Sequence, residues 1–484
     1  MNFNSWQFLL FLPAVVLLYW ALPHKARWAM LLIASYIFYM SWNAWLIVLI
    51  MITTVTAYGF AIGIEKTQNV RLKKLFLAIT LIICLGLLVF FKYINFILES
   101  AVGVIRLFNA EQDDIVLNII LPVGISFYTF QTLSYVIDVY RGDFRAEKHF
   151  GYFALYVAYF PQLVAGPIER PQNLLPQLRE ERKFSEEDML AGGKWLLSGF
   201  FRKCVVADFC GIFVNKVYAD LGNSSGLAVF IASGLFLVQI YNDFAGYSEI
   251  ALGSARLMGV KLSKNFDKPL TSVSYTEFFR RWHITLNQWF TQYLYIPLGG
   301  NRKGTARKIL NTLIVFALCG LWHGANWTYL LWGLSAGVMI SIETLLRKPF
   351  KKVKIDLENP TVKLIRQIIM LLLFTFSSVL FRAQSIAEVG LAFRQMFTAW
   401  DGVEKTFADL GMNGLQIIQL TIFIVAMALI YKLPQESKNE ELPLAKENTA
   451  VNMGLFIYGI LAIMLCWLGL LAMGDSSAFQ YFQF

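Results

Sequence analysis

Long apolar runs, separated by short polar and basic segments, recur along the whole chain. A helix needs about 20 apolar residues to cross a hydrocarbon core of roughly 30 Å. The run 28–64 is long enough for two spans, with a break predicted near Ser41-Trp42-Asn43. The other runs of this kind lie at 6–22, 75–98, 195–219, 227–241, 364–381, 415–431 and 453–473. This pattern predicts an all-α integral membrane protein that crosses the bilayer many times.

The same runs favour a helical bundle over a barrel. Backbone groups in lipid must be hydrogen-bonded within the protein, and a helix achieves this inside one segment. Barrel strands would give alternating segments of about ten residues, and the sequence has none. The first run carries no Lys or Arg before Trp6 and no small-residue cleavage site after it. We therefore expect a retained span there and not a secretory signal.

The basic residues lie mainly in short loops between the apolar runs. The chain has a formal net charge of +10, with 57% hydrophobic residues. Because cytoplasmic loops of plasma-membrane proteins are enriched in Lys and Arg, these loops are expected to face the cytoplasm. The acidic segment 111–114 and both termini then lie outside the cytoplasm. The basic residues are not interleaved with aromatic ones, so nucleic-acid binding is not expected. The loops are at 25–27, 66–74, 141–148, 302–308 and 347–354.

The middle of the chain differs from its ends. Between 121 and 332 the apolar runs are repeatedly interrupted by Pro, Gly and polar residues. Irregular backbone at membrane depth persists only where protein buries it or a wet cavity adjoins it. We therefore predict re-entrant helices around a central tunnel. The segment 152–168 is expected to enter and return without crossing, with the polar stretch 169–188 in the cytoplasm. No repeat is detected, and 1–484 is predicted to be a single domain with one linker at 433–448.

Two of the four histidines, His283 and His323, lie in aromatic, apolar stretches. An imidazole titrates near neutral pH, and ionisable groups at membrane depth are commonly functional. The segment 275–297 is predicted to be one amphipathic helix with His283 and Asn287 on the same face. The run 309–321 is expected to be too short to cross alone and to place His323 near mid-depth. Gly320 and Gly324 would let the helix bend or let another backbone approach.

Simpler interpretations remain open for each of these residues. A buried histidine with a hydrogen-bond partner has a structural role as often as a catalytic one. Asp243, near the end of an apolar run, has two predicted alternatives: packing behind the site, which the spacing favours, and a contact with substrate. No metal is expected, since no Cys or acidic ligand lies at short spacing from either histidine. The five cysteines are expected to be buried apolar residues without a redox role.

Several long motifs resemble the membrane-bound O-acyltransferase family. Phe279-Arg-Arg-Trp-His-Ile-Thr-Leu-Asn-Gln-Trp is followed forty residues later by Gly320-Leu-Trp-His-Gly-Ala-Asn-Trp. Further matching stretches begin at Pro122, Ala165, Asp243 and Asn265, so the resemblance covers about 120–345. The chain looks most similar to the bacterial branch that includes alginate O-acetyltransferases and teichoic-acid D-alanyl transfer proteins. The sequence after His323 and the chain's last six residues look more like the alginate type.

The resemblance implies that His323 is the catalytic histidine and His283 the second histidine of the family pattern. The implied enzyme takes an acetyl group from cytoplasmic acetyl-CoA, used as a substrate with no tightly bound cofactor. Its implied partners are membrane lipid, an exported polysaccharide and an extracytoplasmic acetyltransferase of hydrolase-like fold. Trp322, Asn287 and Asn326 are candidate substrate contacts. The two amides, or a backbone N–H beside Gly324, are candidate donors to an oxyanion.

Two other functions remain open at the level of sequence. One is D-alanyl transfer to teichoic acid from a carrier protein, within the same family. The other is a non-enzymatic transporter or flippase for a polysaccharide or lipid-linked sugar, which would also have broken helices and a cavity. A transporter would keep its activity when His323 is replaced, whereas an acyltransferase would lose it.

Overall fold

The computed structural model describes residues 1–108, 113, 115–352 and 356–432, with side chains described except at 347–352 and 427–432. The regular structure within these residues is helical. Contacts group the chain into two compact units, residues 3–189 with 254–263, and residues 190–253 with 264 onward. The single-domain organisation stays a prediction. The predicted span 453–473 and linker 433–448 lie outside the described residues.

The first unit contains eight described helices. The predicted break in the run 28–64 is confirmed, since α2 ends at Met40 and the Asn43 side chain caps a short 3₁₀ turn at Ala44–Leu46. A π-helical turn, Val89–Tyr93, joins α4 to α5. The helices are α1 (Trp6–Ala21), α2 (His24–Met40), α3 (Ile47–Lys66), α4 (Val70–Leu88), α5 (Ile94–Leu107), α6 (Ile125–Arg141), α7 (Phe150–Ala158) and α8 (Pro171–Arg179).

Helix α7 covers the first part of the segment 152–168 that was predicted to enter and return. It has nine residues, which at 1.5 Å per residue is about 13 Å and too short to cross a hydrocarbon core. The following turn is fully buried at Tyr159 and Phe160. The Tyr156 hydroxyl donates to the backbone oxygen of Glu169 at 2.8 Å, which ties the helix to the chain beyond the turn. A buried non-spanning segment is therefore present, as predicted.

The second unit contains the histidine motifs. Pi-helical turns at Phe201–Ala207 and Thr291–Tyr295 interrupt its helices. Ser274 caps one helix by accepting the Glu277 N–H at 3.1 Å, and Asn359 caps another immediately before Pro360, both favourable starts. The helices are α9 (Glu186–Phe200), α10 (Asp208–Ala219), α11 (Gly226–Arg256), α12 (Tyr275–Arg281), α13 (Ile284–Phe290), α14 (Gly304–His323), α15 (Trp327–Lys352), α16 (Pro360–Arg382), α17 (Ile386–Thr398), α18 (Val403–Leu410) and α19 (Gly414–Lys432).

Six helical segments in the described chain are long and apolar enough to cross a membrane, or seven if the bent pair α18 and α19 forms one span. The predicted run 195–219 is helical but is not among them. Its centre carries Arg202 and Lys203, both buried in ion pairs. Helix α11 is largely covered by protein, with 72% of its most apolar stretch buried. The six are Ala44–Lys66, Val70–Leu107, Gly226–Arg256, Gly304–His323, Trp327–Leu346 and Pro360–Arg382.

One expectation about the segment that ends at His323 is wrong. The run 309–321 was expected to be too short to cross alone, but α14 begins at Gly304 and reaches His323 with 20 residues, enough for a complete span. The basic residues of its first turn do not prevent this, because long cationic side chains can extend to the membrane surface. His323 is thus the last residue of a helix long enough to span, and its depth in the membrane stays a prediction.

Candidate active site

Helices α14 and α15 pack backbone to backbone in the turn of α14 that precedes His323. A Cβ atom on Gly320 would lie 2.2 Å from the Tyr329 carbonyl oxygen, and one on Gly333 would lie 2.1 Å from that of Phe316. Only glycine permits such an approach. Of the two roles predicted for Gly320, close approach of another backbone is confirmed, since the helix continues through it. The packing of α14 on α15 therefore fixes the end of α14, and with it the position of His323.

The turn after His323 is equally tight. A Cβ atom on Gly324 would lie 2.1 Å from the Tyr329 ring, and the Gly324 N–H points back to the Gly320 carbonyl at 3.4 Å. Asn326 accepts the Thr328 N–H at 3.0 Å and donates to the Gln384 carbonyl at 2.8 Å. These contacts close the α14–α15 turn. The side-chain N–H group of Asn326 is thus bonded to backbone, as is the amide beside Gly324.

His283 occupies a break between two short helices, and the expectation of one continuous amphipathic helix is wrong. Its φ of +46° lies in the left-handed region, which it shares with only one other described non-glycine residue, Lys268. This conformation is unfavourable for a residue with a Cβ and persists where the surroundings impose it. The Asn287 amide bonds to the carbonyl oxygens of Phe279, Trp282 and His283. Asn287 thus stabilises the break, and its donors are occupied by backbone.

Asn265, in the loop before α12, also holds His283. The side-chain oxygen of Asn265 lies 3.1 Å from His283 Nδ1 and accepts from the N–H and hydroxyl of Thr285 at 3.3 and 2.9 Å. The backbone oxygen of Asn265 accepts the Ile284 N–H at 2.9 Å. Asn265 is buried. These four bonds clamp the loop before α12 onto the His283 turn.

Helix α15 supports both histidine segments. Besides packing on α14, it carries Glu343, whose carboxylate accepts the N–H groups of Tyr275 and Thr276 at 2.5 and 3.0 Å. N–H groups at the start of a helix have no partner within the helix, and the Glu343 carboxylate supplies one. The helix dipole also favours a negative charge at this end. The chain leading into His283 is therefore attached to the helix that positions His323.

The two imidazoles lie close together among aromatic rings. Their ring centroids are 6.2 Å apart, and the Trp322 ring lies 5.5 Å from His283 and 5.1 Å from His323. His323 also packs on Trp332 at 5.2 Å and on Phe381 at 5.4 Å. Both histidines are buried, with 1% and 5% of their surface exposed. The structure thus brings together three residues that the sequence predicted separately.

Burial lowers the pKa of His283 well below its usual value of 6.5, and the nearby His323 lowers it further. Removing an imidazole from water disfavours its charged form, and a second positive charge close by does the same. His283 lies outside the candidate spans. At neutral pH its ring is therefore neutral and can accept a hydrogen bond.

Asp243 lies in an ion-pair network within the second unit. Lys203 Nζ lies 2.9 Å from its carboxylate and 2.7 Å from that of Asp208, and Arg202 pairs with Glu249 at 2.8 Å. The next residue of α11, Phe244, packs on the His283 ring with centroids 4.7 Å apart. The predicted alternative for Asp243, a role in packing behind the site, has a structural basis here. Direct contact with substrate stays a prediction.

The remaining histidine, cysteine and carboxylate side chains bear on metal and thiol chemistry. In the described part of the chain no group of three His, Cys, Asp or Glu side chains is arranged to hold a metal ion. Three of the four described cysteines, Cys84, Cys210 and Cys319, are buried, whereas Cys204 is exposed. The expectation of buried cysteines is thus wrong for Cys204.

The family pattern is found in the same region as this geometry. Residues 147–383 match the family model of membrane-bound O-acyltransferases. A probable alginate O-acetylase of Azotobacter vinelandii is 36% identical over 433 residues, which cover 89% of this chain and 84% of that protein. The chain belongs to the membrane-bound O-acyltransferase family.

Two further relatives illustrate the range of the family. A peptidoglycan O-acetyltransferase of Helicobacter pylori is 34% identical over 70% of each chain. A teichoic acid D-alanyltransferase of Streptococcus thermophilus is 27% identical over 50% of this chain and 61% of its own length. Family membership and the apolar helices make this chain a multi-pass membrane O-acyltransferase. Its matched region contains both histidines.

Sequence reasoning gave no chemical role to Asn265 or to Lys203. Asn265 attracted notice only as part of a family motif, and Lys203 lies in a run that was interpreted as a span. A signal existed for Lys203, since a cation and the carboxylates of Asp208 and Asp243 occur in otherwise apolar segments. Their pairing across two helices could not be found from spacing.

Proposed function

We propose that this O-acyltransferase moves an acetyl group from cytoplasmic acetyl-CoA across the membrane for O-acetylation of an exported polysaccharide. The juxtaposition of His323 and His283 at 6.2 Å inside the family region carries the proposal. The choice of acetyl is supported by the two O-acetylating relatives, which match over 70% or more of this chain, against 50% for the D-alanyltransferase.

In the proposed reaction His323 is the general base. It takes the proton of an acceptor hydroxyl while the oxygen attacks the thioester carbonyl, forming a C–O bond and a tetrahedral oxyanion. The C–S bond then breaks, and the proton passes from His323 to the departing thiolate, releasing coenzyme A. A positioned base of this kind contributes about 10² to 10⁴ in rate.

The surroundings of His323 constrain how substrates arrive. Because only 5% of its surface is exposed, the thioester must reach it through the protein. We propose entry along the predicted tunnel from the cytoplasm, where the basic loop 302–308 would attract the phosphates of coenzyme A. Trp322, in contact with both imidazoles, would form part of the substrate wall. On the other face the acceptor is the polymer itself or an extracytoplasmic acetyltransferase of hydrolase-like fold.

The oxyanion needs a donor, and three candidates are already in use. The amides of Asn287 and Asn326 and the N–H of Gly324 are bonded to backbone oxygens. Each would have to give up such a bond to serve the transition state. A contact with substrate through Asn287 or Asn326 stays a prediction.

The test uses purified protein in proteoliposomes with alginate inside and [acetyl-¹⁴C]acetyl-CoA outside. Release of free coenzyme A thiol and label in the internal polymer or in acetate are measured. We expect His323→Ala to lower thiol release by about 10² to 10⁴. His24→Ala, at the start of α2, is the matched control and should retain wild-type turnover.

Other results would redirect the assignment. If wild-type protein releases no thiol but consumes a D-alanyl thioester of a carrier protein, the acetyl donor is wrong. Undiminished turnover in His323→Ala would remove His323 from the chemistry. Movement of a labelled polymer or lipid-linked sugar that survives His323→Ala, without thiol release, would favour a transporter.

A further inference from the structure

The side-chain amide of Asn265 is held in one orientation. It is 2% exposed, and its oxygen faces His283 Nδ1, the Thr285 N–H and the Thr285 hydroxyl within 3.3 Å. Backbone bonds from Ile284 to Asn265 and from Asp267 to Arg281, both 2.9 Å, fix the loop that carries it. The amide therefore has little freedom to rotate or flip.

These contacts identify which atom is the oxygen. Oxygen and nitrogen of an amide are usually assigned from the hydrogen-bond network. A backbone N–H can only donate, so the Asn265 atom that faces the Thr285 N–H must be the acceptor, the oxygen. The same atom lies 3.1 Å from His283 Nδ1. An oxygen that only accepts requires Nδ1 to carry the hydrogen.

The position of that hydrogen determines what the other ring nitrogen can do. In a neutral imidazole one nitrogen donates and the other accepts, and the bond made at one nitrogen sets the state of the other. With Nδ1–H donating to Asn265, Nε2 of His283 carries the lone pair. His283 is then a hydrogen-bond acceptor at Nε2.

Groups around the ring maintain this state. The His283 ring contacts two residues of α14, the second base His323 and the Trp322 ring. It also contacts the Phe244 ring of α11. Of the two cations on the preceding helix, Arg281 is paired with Glu277 at 2.7 Å and Arg280 is exposed. The loop before α12 contributes the uncharged side-chain amide of Asn265. No carboxylate appears among these neighbours to hold a proton on the ring.

We propose that Asn265 is a positioning residue for acyl transfer. It fixes His283 in the tautomer whose Nε2 accepts, so that His283 orients the attacking hydroxyl by accepting its hydrogen bond while His323 removes the proton. The role rests on the proposed function, because it requires a hydroxyl acceptor. It differs from a packing role, because the chemical identity of the Asn265 side chain and not only its volume is needed.

The tautomer is tested directly and without turnover. Protein labelled with ¹⁵N-histidine in lipid nanodiscs contains four histidines, and His283→Gln identifies the signals of interest. We expect Nδ1 of His283 in the protonated range of chemical shift and Nε2 in the unprotonated range at neutral pH. In Asn265→Ala this preference should be lost. A wild-type ring protonated at Nε2, or an unchanged ring in Asn265→Ala, would overturn the proposal.

The second test is the pH dependence of thiol release in Asn265→Asp. Aspartate is nearly the same size, and the amide nitrogen it replaces finds no acceptor in the described part of the protein. A carboxylate beside the ring favours its charged form and would raise the pKa by about 1 to 3 units. Only neutral His283 can accept the hydrogen bond of the hydroxyl. As the pH decreases, thiol release should therefore start to fall at a pH that is higher than in the wild type by that amount.

Matched variants separate this outcome from simple damage. Thr285→Val removes one donor to the Asn265 oxygen but leaves the bond between that oxygen and His283. Its thiol release should therefore fall off at the same pH as in the wild type. Asn265→Ser introduces no charge, so its thiol release should fall off at the wild-type pH. If Asn265→Asp fails to fold, the tautomer measurement decides the proposal. A loss of turnover by the same factor at every pH in Asn265→Asp would reduce Asn265 to a structural residue. Absence of wild-type turnover would refute the proposed function while leaving the tautomer measurement intact.

Discussion

The two histidines of the site are held by different means. His323 ends a long helix and is enclosed by Trp322, Trp332 and Phe381. His283 sits in a strained turn and is fixed by its hydrogen bond to the Asn265 oxygen and by the Asn287 amide, which donates to its carbonyl oxygen. Strain of this kind costs of order 1–3 kcal/mol and is retained at functional sites where surrounding contacts impose it. The precise placement of an imidazole is a physical reason to retain it here.

The buried state of His283 predicts a pH effect on stability. Its folded pKa lies well below 6.5 because of burial and the nearby His323. Below that pH the unfolded chain binds a proton that the folded chain does not, so the free energy of unfolding falls as pH decreases. Thermal unfolding in detergent, from about pH 7.5 to about pH 5.5, should show a smaller loss of stability for His283→Gln than for wild type. His24→Gln is the control and should lose as much stability as the wild type. An equal loss in His283→Gln and wild type would contradict the prediction.

At the scale of elements, α15 is the scaffold that connects the two histidine segments. It packs on α14 through Gly320 and Gly333, and its Glu343 satisfies the first N–H groups of α12. Neither α14 nor α12 alone brings both imidazoles together. Changes in α15 should therefore affect turnover without touching a histidine.

The close approach of α14 and α15 can be tested with one methyl group. In Gly320→Ala the new Cβ would lie 2.2 Å from the Tyr329 carbonyl oxygen, so the helices must separate. We expect a loss of about 1–3 kcal/mol in stability and reduced thiol release as His323 moves. Gly390→Ala in α17 is the control: its Cβ meets nothing within 4 Å, and helix propensity should stabilise it by roughly 0.5–1 kcal/mol. An unchanged unfolding midpoint for Gly320→Ala would contradict the packing argument.

At the scale of the whole molecule, the charge distribution predicts an orientation in the membrane. Basic loops are placed in the cytoplasm and the acidic segment 111–114 outside. In a background with Cys204 and Cys466 replaced by Ser, we expect Asp113→Cys to react with an impermeant maleimide in intact cells. Gln68→Cys, in the basic loop after α3, should react only after the cells are permeabilised. The opposite pattern would invert the topology and with it the proposed direction of acetyl transfer.

The sequence by itself determined the class of the protein and the identity of its histidines. Apolar run length fixes helical spans because lipid offers no hydrogen-bond partners, and the break near Ser41 was predictable for the same reason. The family motifs around His283 and His323 are contiguous, so they could be identified before any fold was known.

Only the tertiary structure decided how those residues are arranged. The start of α14 at Gly304 escaped prediction because the charges in its first turn can reach the membrane surface. The left-handed turn at His283 depends on Asn265, eighteen residues earlier in the chain. Lys203 and Asp243 pair across separate helices. The last two rest on contacts between separate segments of the chain, which periodicity and spacing do not encode.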